Sequence, residues 1–258
     1  MPGEVRIVRE GAIGWMVFDH VERRNAITGE MWRAISPAAR ALDEEDGVRV
    51  VILRGAGDEA FVAGADISEF AALRTGEAGG RYEEENAQAF EALRAVEKPV
   101  LAMIHGFCIG GGVALALCAD VRYAADDATF AIPAARLGLG YPANGLEALV
   151  RAVGDSAAKE ILFTARRFDA AEAAGKGLVD AVVAKAELEA DVRKAAEDIA
   201  ANAPLTIRSA KRVLGALARD GSDRDAAAQS IRACFASDDY REGVQAFLEK
   251  RKPVFRGR

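Results

Sequence analysis

The chain has 258 residues, of which 51% are hydrophobic and 29% charged, and its formal net charge is -6. This length allows one large domain or a domain with an appendage, and the composition excludes disordered, collagen-like and disulfide-dense proteins. The balance of 34 Lys and Arg against 40 Asp and Glu, without a basic stripe, argues against a nucleic-acid-binding protein.

Strand-like and helix-like segments alternate along the first part of the chain. Short β-branched or aromatic runs predict buried strands at residues 13–19, 48–54 and 100–104. Apolar residues at helical spacing predict helices at residues 30–43 and 81–96, and a polar, glycine-punctuated stretch at 73–80 precedes the second. This alternation predicts an α/β fold with crossover connections.

The pattern changes near Glu187, after which only helical periodicity remains. Val192, Ala196 and Ile199 recur on one helical face, and similar spacing continues in the segments that follow. We therefore predict an α/β core at residues 1–186 and a C-terminal helical region at residues 187–258.

Residues 99–119 contain no Asp, Glu, Lys or Arg and therefore resemble a membrane-spanning helix in length and composition. The leading Pro99, the central His105 and four glycines favour a buried strand, a tight turn and a buried helix instead. We expect no membrane association. The first eleven residues, MPGEVRIVREG, lack the apolar core of a signal peptide, and three sparse cysteines are typical of free thiols, so we expect a cytoplasmic protein.

Several kinds of catalytic site are disfavoured by the motifs that the sequence lacks. The two histidines, His20 and His105, and the three cysteines show no metal-ligand spacing, so we expect no metal site. No nucleophile elbow, P-loop or dinucleotide-binding fingerprint is present. Nucleophilic hydrolases, P-loop enzymes and Rossmann dehydrogenases are therefore disfavoured.

Two segments of small residues remain as candidates for a functional site. Ala63, Gly64 and Ala65 follow a predicted strand, and residues 110–112 are three glycines between a predicted strand and an apolar helix. Free N–H groups at such a helix start face whatever lies above the turn. Two amides, one from each segment, can converge on a developing oxyanion. On this pattern alone, the alternative that the small residues serve only packing stays open.

Together and in this order, the two segments resemble the crotonase superfamily, also called the enoyl-CoA hydratase/isomerase family. The matching motifs are Arg24-Asn25-Ala26-Ile27, Ala63-Gly64-Ala65-Asp66 and Gly110-Gly111-Gly112. The similarity continues through residues 130–134, 173–179 and 238–251, and covers essentially the whole chain. It implies a spiral of β-β-α units followed by a C-terminal helical trimerisation region, assembled as a homotrimer or a dimer of trimers.

The resemblance also implies an acyl-CoA thioester as the substrate and no separate cofactor, because coenzyme A is part of that substrate. It places the two carbonyl-binding amides on Ala65 and Gly111. The implied substrate contacts are Arg23, Arg24, Ala26, Ala63, Gly64, Asp66, Ile67, Gly110, Ala114, Ala134, Phe247 and Lys250. Phe247 and Lys250 match the helix that a neighbouring subunit contributes, although a solvated cationic tail would show the same charges.

The chain departs from the family at the two positions where hydratases carry glutamates, which are Ala114 and Ala134 here. Alanine neither gives nor accepts a proton, and a positioned acid or base contributes about 10² to 10⁴ in rate. We therefore expect little ordinary hydratase activity. Tyr141 resembles the tyrosine that orients a carboxylate in the methylmalonyl-CoA decarboxylase branch, which suggests decarboxylation of a malonyl-type acyl-CoA. Alternatively, this aromatic ring seals a loop over the core.

Two other functions stay open at this point. A hydratase or isomerase can use substitute residues, for which Arg136, Asn144 and the glutamates at residues 83–85 are candidates. A non-catalytic acyl-CoA-binding protein would keep the amides and lose turnover. A Clp-type serine protease shares the fold, but residues 111–113 leave no serine at the helix start, so we exclude that function.

Overall fold

The computed structural model of the chain describes residues 2–69, 77–218 and 224–258. Part of the glycine-punctuated stretch at 73–80 therefore lies outside the described residues. In chain order the strands are β1 (Glu4–Glu10), β2 (Ile13–Asp19), β3 (Val50–Gly55), β4 (Ala60–Val62), β5 (Val100–Ile104), β6 (Phe107–Ile109), β7 (Val121–Ala125), β8 (Thr129–Ala131), β9 (Phe168–Asp169) and β10 (Ala181–Val183).

The described helices are α1 (Gly29–Glu44), α2 (Glu77–Ala95), α3 (Gly111–Ala116), α4 (Ala143–Thr164), α5 (Ala170–Gly175), α6 (Leu188–Ala200), α7 (Pro204–Ala218), α8 (Arg224–Ala236) and α9 (Asp238–Leu248). Short 3-10 helices span Val21–Arg23, Ile67–Glu69 and Pro133–Leu137. Thr28 caps α1 by accepting a hydrogen bond from Met31 N, which explains why that helix begins where it does. Gly154 leaves the helical conformation and divides α4 into two pieces.

The strands form two sheets between which the chain alternates. The larger sheet has the order β1-β2-β3-β5-β7-β10 and the smaller has the order β4-β6-β8-β9. From β3 to β4, from β5 to β6 and from β7 to β8 the chain steps from the larger sheet to the smaller. Helix α2 leads back to β5 and α3 leads back to β7, whereas after β8 helix α4 leads to β9 of the smaller sheet and α5 then leads back to β10. This repetition confirms the predicted spiral of β-β-α units. Most neighbouring strands are parallel, as crossover connections require.

Both faces of the larger sheet are covered, which is why its central strands are apolar throughout. The principal core cluster includes Trp32 and Ile35 of α1. On the opposite face, Leu188, Val192 and Ala196 of α6 pack in a second cluster. The first C-terminal helix thus contributes to the core, and the division of the chain at residues 186 and 187 stays a prediction.

The charge-free segment at residues 99–119 is a strand, a turn and a helix, as predicted. The short strand β6, which the sequence pattern did not separate, lies between β5 and α3. No helix in the described part of the chain is long and apolar enough to cross a membrane.

Candidate active site

Two parallel strands of the smaller sheet bring the small-residue segments side by side. β4 pairs with β6, and Val62 is opposite Cys108, so the chain leaves both strands at the same edge. At this edge, an added Cβ on Gly64 would lie 3.4 Å from Ile109 O, and an added Cβ on Gly112 would lie 2.2 Å from Val62 O. Only glycine at position 112 therefore lets the start of α3 approach β4 so closely.

The backbone N–H groups of Ala65 and Gly111 lie in these two segments. Ile27 and Ala65 form a parallel bridge, in which Ile27 N donates to Gly64 O (2.8 Å) and Asp66 N donates to Ile27 O (2.9 Å). In such a bridge the amide of the bridged residue points to the other side, so Ala65 N–H faces away from Ile27. Gly111 begins α3 and has no acceptor within that helix. Neither amide donates a hydrogen bond to any residue that the structure describes.

Asn25 ties the loop after β2 to the loop before β4. Its buried side chain donates to Ala56 O (2.9 Å) and Ala60 O (2.7 Å) and accepts from His20 N (3.0 Å). Both Arg24 and Asn25 have left-handed backbone conformations, with φ of 54° and 56°. The sequence motif contained Asn25 but did not indicate this role, because the carbonyls that it binds are remote in sequence.

The indole of Trp32 forms a wall beside Gly111. An added Cβ on Gly111 would lie 3.3 Å from Cζ2 of Trp32. The indole N–H donates to the hydroxyl of Tyr82 (2.9 Å), and the ring of Phe90 meets the indole edge-on at 5.3 Å. These contacts hold the indole in one orientation. Sequence analysis missed Trp32, since nothing local to residue 32 indicates that it reaches the glycine turn.

Tyr141 lies on the other side of the glycine turn. Its hydroxyl donates to Gly110 O at 3.4 Å, and its ring packs against Gly145 and the principal core. Burial raises the pKa of the Tyr141 phenol well above its ordinary value of 10. The phenol is therefore a neutral hydrogen-bond donor rather than a base at physiological pH.

The two positions that lack a carboxylate are both close to the core. Ala114 is 5% exposed on α3, and Ala134 is half-buried in the 3-10 helix Pro133–Leu137. The carboxylates that follow Ala65 in sequence have other partners: Asp66 accepts from Ser68 N (2.9 Å), and Glu69 accepts from Gly29 N (2.8 Å). Burial opposes ionisation of Asp66, but hydrogen bonds from Ser68 outweigh it and hold the pKa of that carboxyl below its usual value.

The remaining predicted contacts divide into those at this edge and those elsewhere. The carbonyl of Arg24 accepts from Ala63 N (3.0 Å), which holds the Arg23–Ala26 loop beside the site, and Ile67 begins the 3-10 helix after Ala65. The guanidinium of Arg24 lies over the ring of Phe107 at 4.8 Å.

Other candidates lie away from this edge. Phe247 and Lys250 are exposed at the end of α9 and make no described contact with the site of the same chain. Glu83 and Glu84 are exposed on α2, and Glu85 pairs with Arg33 at 3.2 Å. Glu83 and Glu84 are therefore directed to solvent, and Glu85 belongs to a surface ion pair.

Comparison with known proteins identifies the family to which this chain is similar. Residues 8–258 match a family model described as enoyl-CoA hydratase/isomerase. A crotonyl-CoA hydratase from Syntrophomonas wolfei is 37% identical over 253 residues, which are 96% of this chain and 95% of that protein. A short-chain-enoyl-CoA hydratase from Clostridium acetobutylicum is 33% identical, over 96% of this chain and 95% of its own length.

A solved structure shows the same fold. An enoyl-CoA hydratase/carnithine racemase from Magnetospirillum magneticum superimposes with a TM-score of 0.95 at 38% sequence identity. The superposition covers 98% of this chain and 96% of that one.

Proposed function

This chain belongs to the enoyl-CoA hydratase/isomerase family, and on that premise we propose that it binds an acyl-CoA thioester through the amides of Ala65 and Gly111. The observation that carries the proposal is that β4–β6 pairing delivers both unpartnered N–H groups to one sheet edge. Preorganised amide donors stabilise the charge that develops on a thioester oxygen when an enolate forms.

The reaction that we propose is decarboxylation of a malonyl-type acyl-CoA. The bond between Cα and the carboxylate carbon breaks, CO₂ leaves, and the electron pair forms an enolate whose oxygen is held by Ala65 and Gly111. Water then protonates Cα. This route needs no carboxylate base, which suits a site with Ala114 and Ala134 at the two hydratase positions. Tyr141, partly buried and protonated, donates a hydrogen bond that orients the departing carboxylate.

Two other candidates rest on separate observations. The names of the two relatives favour hydration, which would require substitute groups such as Asn144. Its side-chain oxygen is buried and has no partner among the described residues. The lack of a carboxylate at positions 114 and 134 is also compatible with a protein that binds acyl-CoA without turnover.

We also propose a homotrimer or dimer of trimers, because the C-terminal helices leave a large apolar groove. Helices α7, α8 and α9 line a groove of about 820 Å³. In the isolated chain, Leu214 is 66% exposed and Phe247 is 83% exposed. An exposed apolar surface of this kind marks an interaction site. In such an assembly, Phe247 and Lys250 would approach the site of a neighbouring subunit.

The decisive experiment incubates the protein with malonyl-, methylmalonyl- and ethylmalonyl-CoA and with 2-enoyl- and 3-enoyl-CoA, and follows products by mass spectrometry. We expect CO₂ release from at least one malonyl-type thioester. Water addition to the enoyl thioesters would favour the hydratase alternative, and calorimetric binding without any product would favour the non-catalytic one.

A Gly111→Pro variant tests the oxyanion hole itself. Proline removes the amide N–H, and the first position of a helix tolerates it. We expect turnover to fall about 10² to 10³-fold relative to Gly111→Ala, which adds the same Cβ against Trp32 but keeps the N–H. Circular dichroism checks that both variants are folded. Unchanged turnover in the folded variant would contradict the assignment of Gly111.

A further inference from the structure

Two buried carboxamide oxygens, on Asn86 of α2 and Asn144 of α4, have no hydrogen-bond partner among the described residues. Buried polar atoms in native proteins are nearly always paired, so an unpaired one requires a reason. Two other buried side-chain nitrogens with no close partner in the described part of the chain lie outside this region. Nε1 of Trp15 is in the second core cluster and is directed toward Glu10, and Nε2 of His105 is near the charges of Arg54 and Lys185.

Asn86 is positioned beside the wall that Trp32 forms. Tyr82, Asn86 and Phe90 recur at four-residue spacing and therefore share one face of α2. Tyr82 accepts the indole N–H of Trp32, and the ring of Phe90 meets the same indole edge-on. Asn86 is thus located between two residues that touch Trp32. Because that indole lies against Gly111, the face of α2 that carries Asn86 packs on the residue that forms one wall of the proposed site.

Asn144 approaches the same region from the first turn of α4. It follows Tyr141 by three residues. Its main-chain carbonyl, not its side chain, accepts a hydrogen bond from Arg94 Nη2 of α2 (3.3 Å). The thiol of Cys118 lies 3.8 Å from Phe90 O and 3.3 Å from Ala114 O. Through these contacts α4, at Asn144, and α3, at Ala114, both lie beside the second half of α2.

From these contacts we infer that Asn86 and Asn144 are specificity-determining residues that select an acyl chain bearing a hydroxyl group. This inference rests on the proposed function, since it assumes that an acyl-CoA thioester occupies the site. Carboxamide oxygens accept hydrogen bonds, and a hydroxyl is the simplest donor that an acyl chain can carry. A site with buried acceptors discriminates against an analogue that lacks the donor, because the acceptors then stay unpaired.

Pairs of thioesters that differ only by a hydroxyl and a methyl group provide the test. Binding is measured by calorimetry for 3-hydroxybutyryl-CoA against 3-methylbutyryl-CoA, and for 4-hydroxybutyryl-CoA against pentanoyl-CoA. We expect the protein to bind the hydroxylated member of at least one pair about tenfold more tightly. Asn86→Leu and Asn144→Leu should each reduce that ratio at least threefold, since leucine matches the branching of asparagine but accepts no hydrogen bond.

The matched control is Asn202→Leu, in which an exposed asparagine that donates to Asp198 O is replaced far from this site. It should keep the parent ratio. If a leucine variant fails to fold, the serine variant at the same position should reduce the ratio instead. The serine side chain is shorter, so its hydroxyl does not extend as far as the carboxamide oxygen that it replaces.

Equal binding of both members of each pair by the parent protein would overturn this inference and leave the proposed function standing. Such a result would indicate that buried water satisfies the two oxygens. Absence of binding for all four thioesters would instead overturn the proposed function together with this inference.

Discussion

The hydroxyl oxygen of Tyr141 lies 3.4 Å from the carbonyl oxygen of Gly110, in the peptide unit that also carries the N–H of Gly111. This separation exceeds the usual O–H···O distance of about 2.7–2.8 Å, so the hydroxyl is held only weakly where it is. A phenol that is partly buried, protonated and weakly hydrogen-bonded beside a proposed oxyanion hole can transfer its hydrogen bond to a substrate carboxylate.

Replacing Tyr141 by phenylalanine tests that role. We expect Tyr141→Phe to lower kcat for a malonyl-type thioester at least tenfold while the Kd changes less than twofold, because the lost hydrogen bond acts on orientation more than on binding. Steady-state kinetics and calorimetry measure the two quantities. Tyr123→Phe, in strand β7 of the larger sheet, is the matched control and should leave kcat and Kd unchanged. Equal losses in binding and kcat would argue against an orienting role.

Restoring the missing carboxylates should restore hydration. The parent should hydrate crotonyl-CoA very slowly, since Ala114 and Ala134 supply neither acid nor base. We expect the double variant Ala114→Glu/Ala134→Glu to hydrate it at least tenfold faster, because each positioned carboxylate contributes about 10² to 10⁴ in rate. Loss of crotonyl-CoA absorbance measures the reaction. Fast hydration by the parent would show that other groups activate water here.

Gly112 should tolerate no side chain. An added Cβ would lie 2.2 Å from Val62 O, so Gly112→Ala must displace α3 from β4. We expect a loss of about 1–3 kcal/mol in the free energy of unfolding, as for other overpacked sites, together with reduced acyl-CoA binding. Gly80→Ala in α2 is the control, because nothing lies within 4 Å of its added Cβ, and it should stabilise the protein by about 0.5–1 kcal/mol.

His105 should make stability depend on pH. Burial, with the nearby charges of Arg54 and Lys185, lowers the pKa of His105 from 6.5 to about 4. Between these values the unfolded chain binds a proton that the folded chain does not, so this contribution to stability is complete above pH 6.5 and is lost as pH falls toward 4. The slope is at most about 1.4 kcal/mol per pH unit.

Urea unfolding of the parent and of His105→Asn between pH 7.5 and 4.5 measures this contribution. The variant should lose less stability than the parent over that interval. Parallel curves for His105→Asn and the parent would contradict the expectation.

The apolar groove of the C-terminal helices should mediate assembly. Phe235 is 64% exposed in the isolated chain and packs edge-on against Tyr240 at 5.5 Å. We expect light scattering to give a trimer or hexamer for the parent and a monomer for Phe235→Glu, since a charge in a buried apolar contact is costly. Phe163→Glu, on α4 and outside the groove, should keep at least the trimer. A monomeric parent at micromolar concentration would refute the proposed assembly.

Long elements could be predicted from the sequence, and the shortest could not. Strands at residues 13–19 and 100–104 have the predicted bounds, and the helix predicted at 30–43 spans Gly29–Glu44. These segments are long enough for their apolar pattern to show a period. The strands of the smaller sheet contain only two or three residues, too few for any period, although this sheet positions the proposed site.

Side-chain chemistry and local backbone preference can be taken directly from the sequence, as for the small residues at 63–65 and 110–112 and the alanines at positions 114 and 134. The packing of helices and strands is needed to show that Trp32 forms a wall beside Gly111, and that the buried side-chain oxygens of Asn86 and Asn144 have no partner among the described residues. These contacts join residues that lie on different helices and strands. Their distances depend on how the sheets and helices pack, which no local pattern encodes.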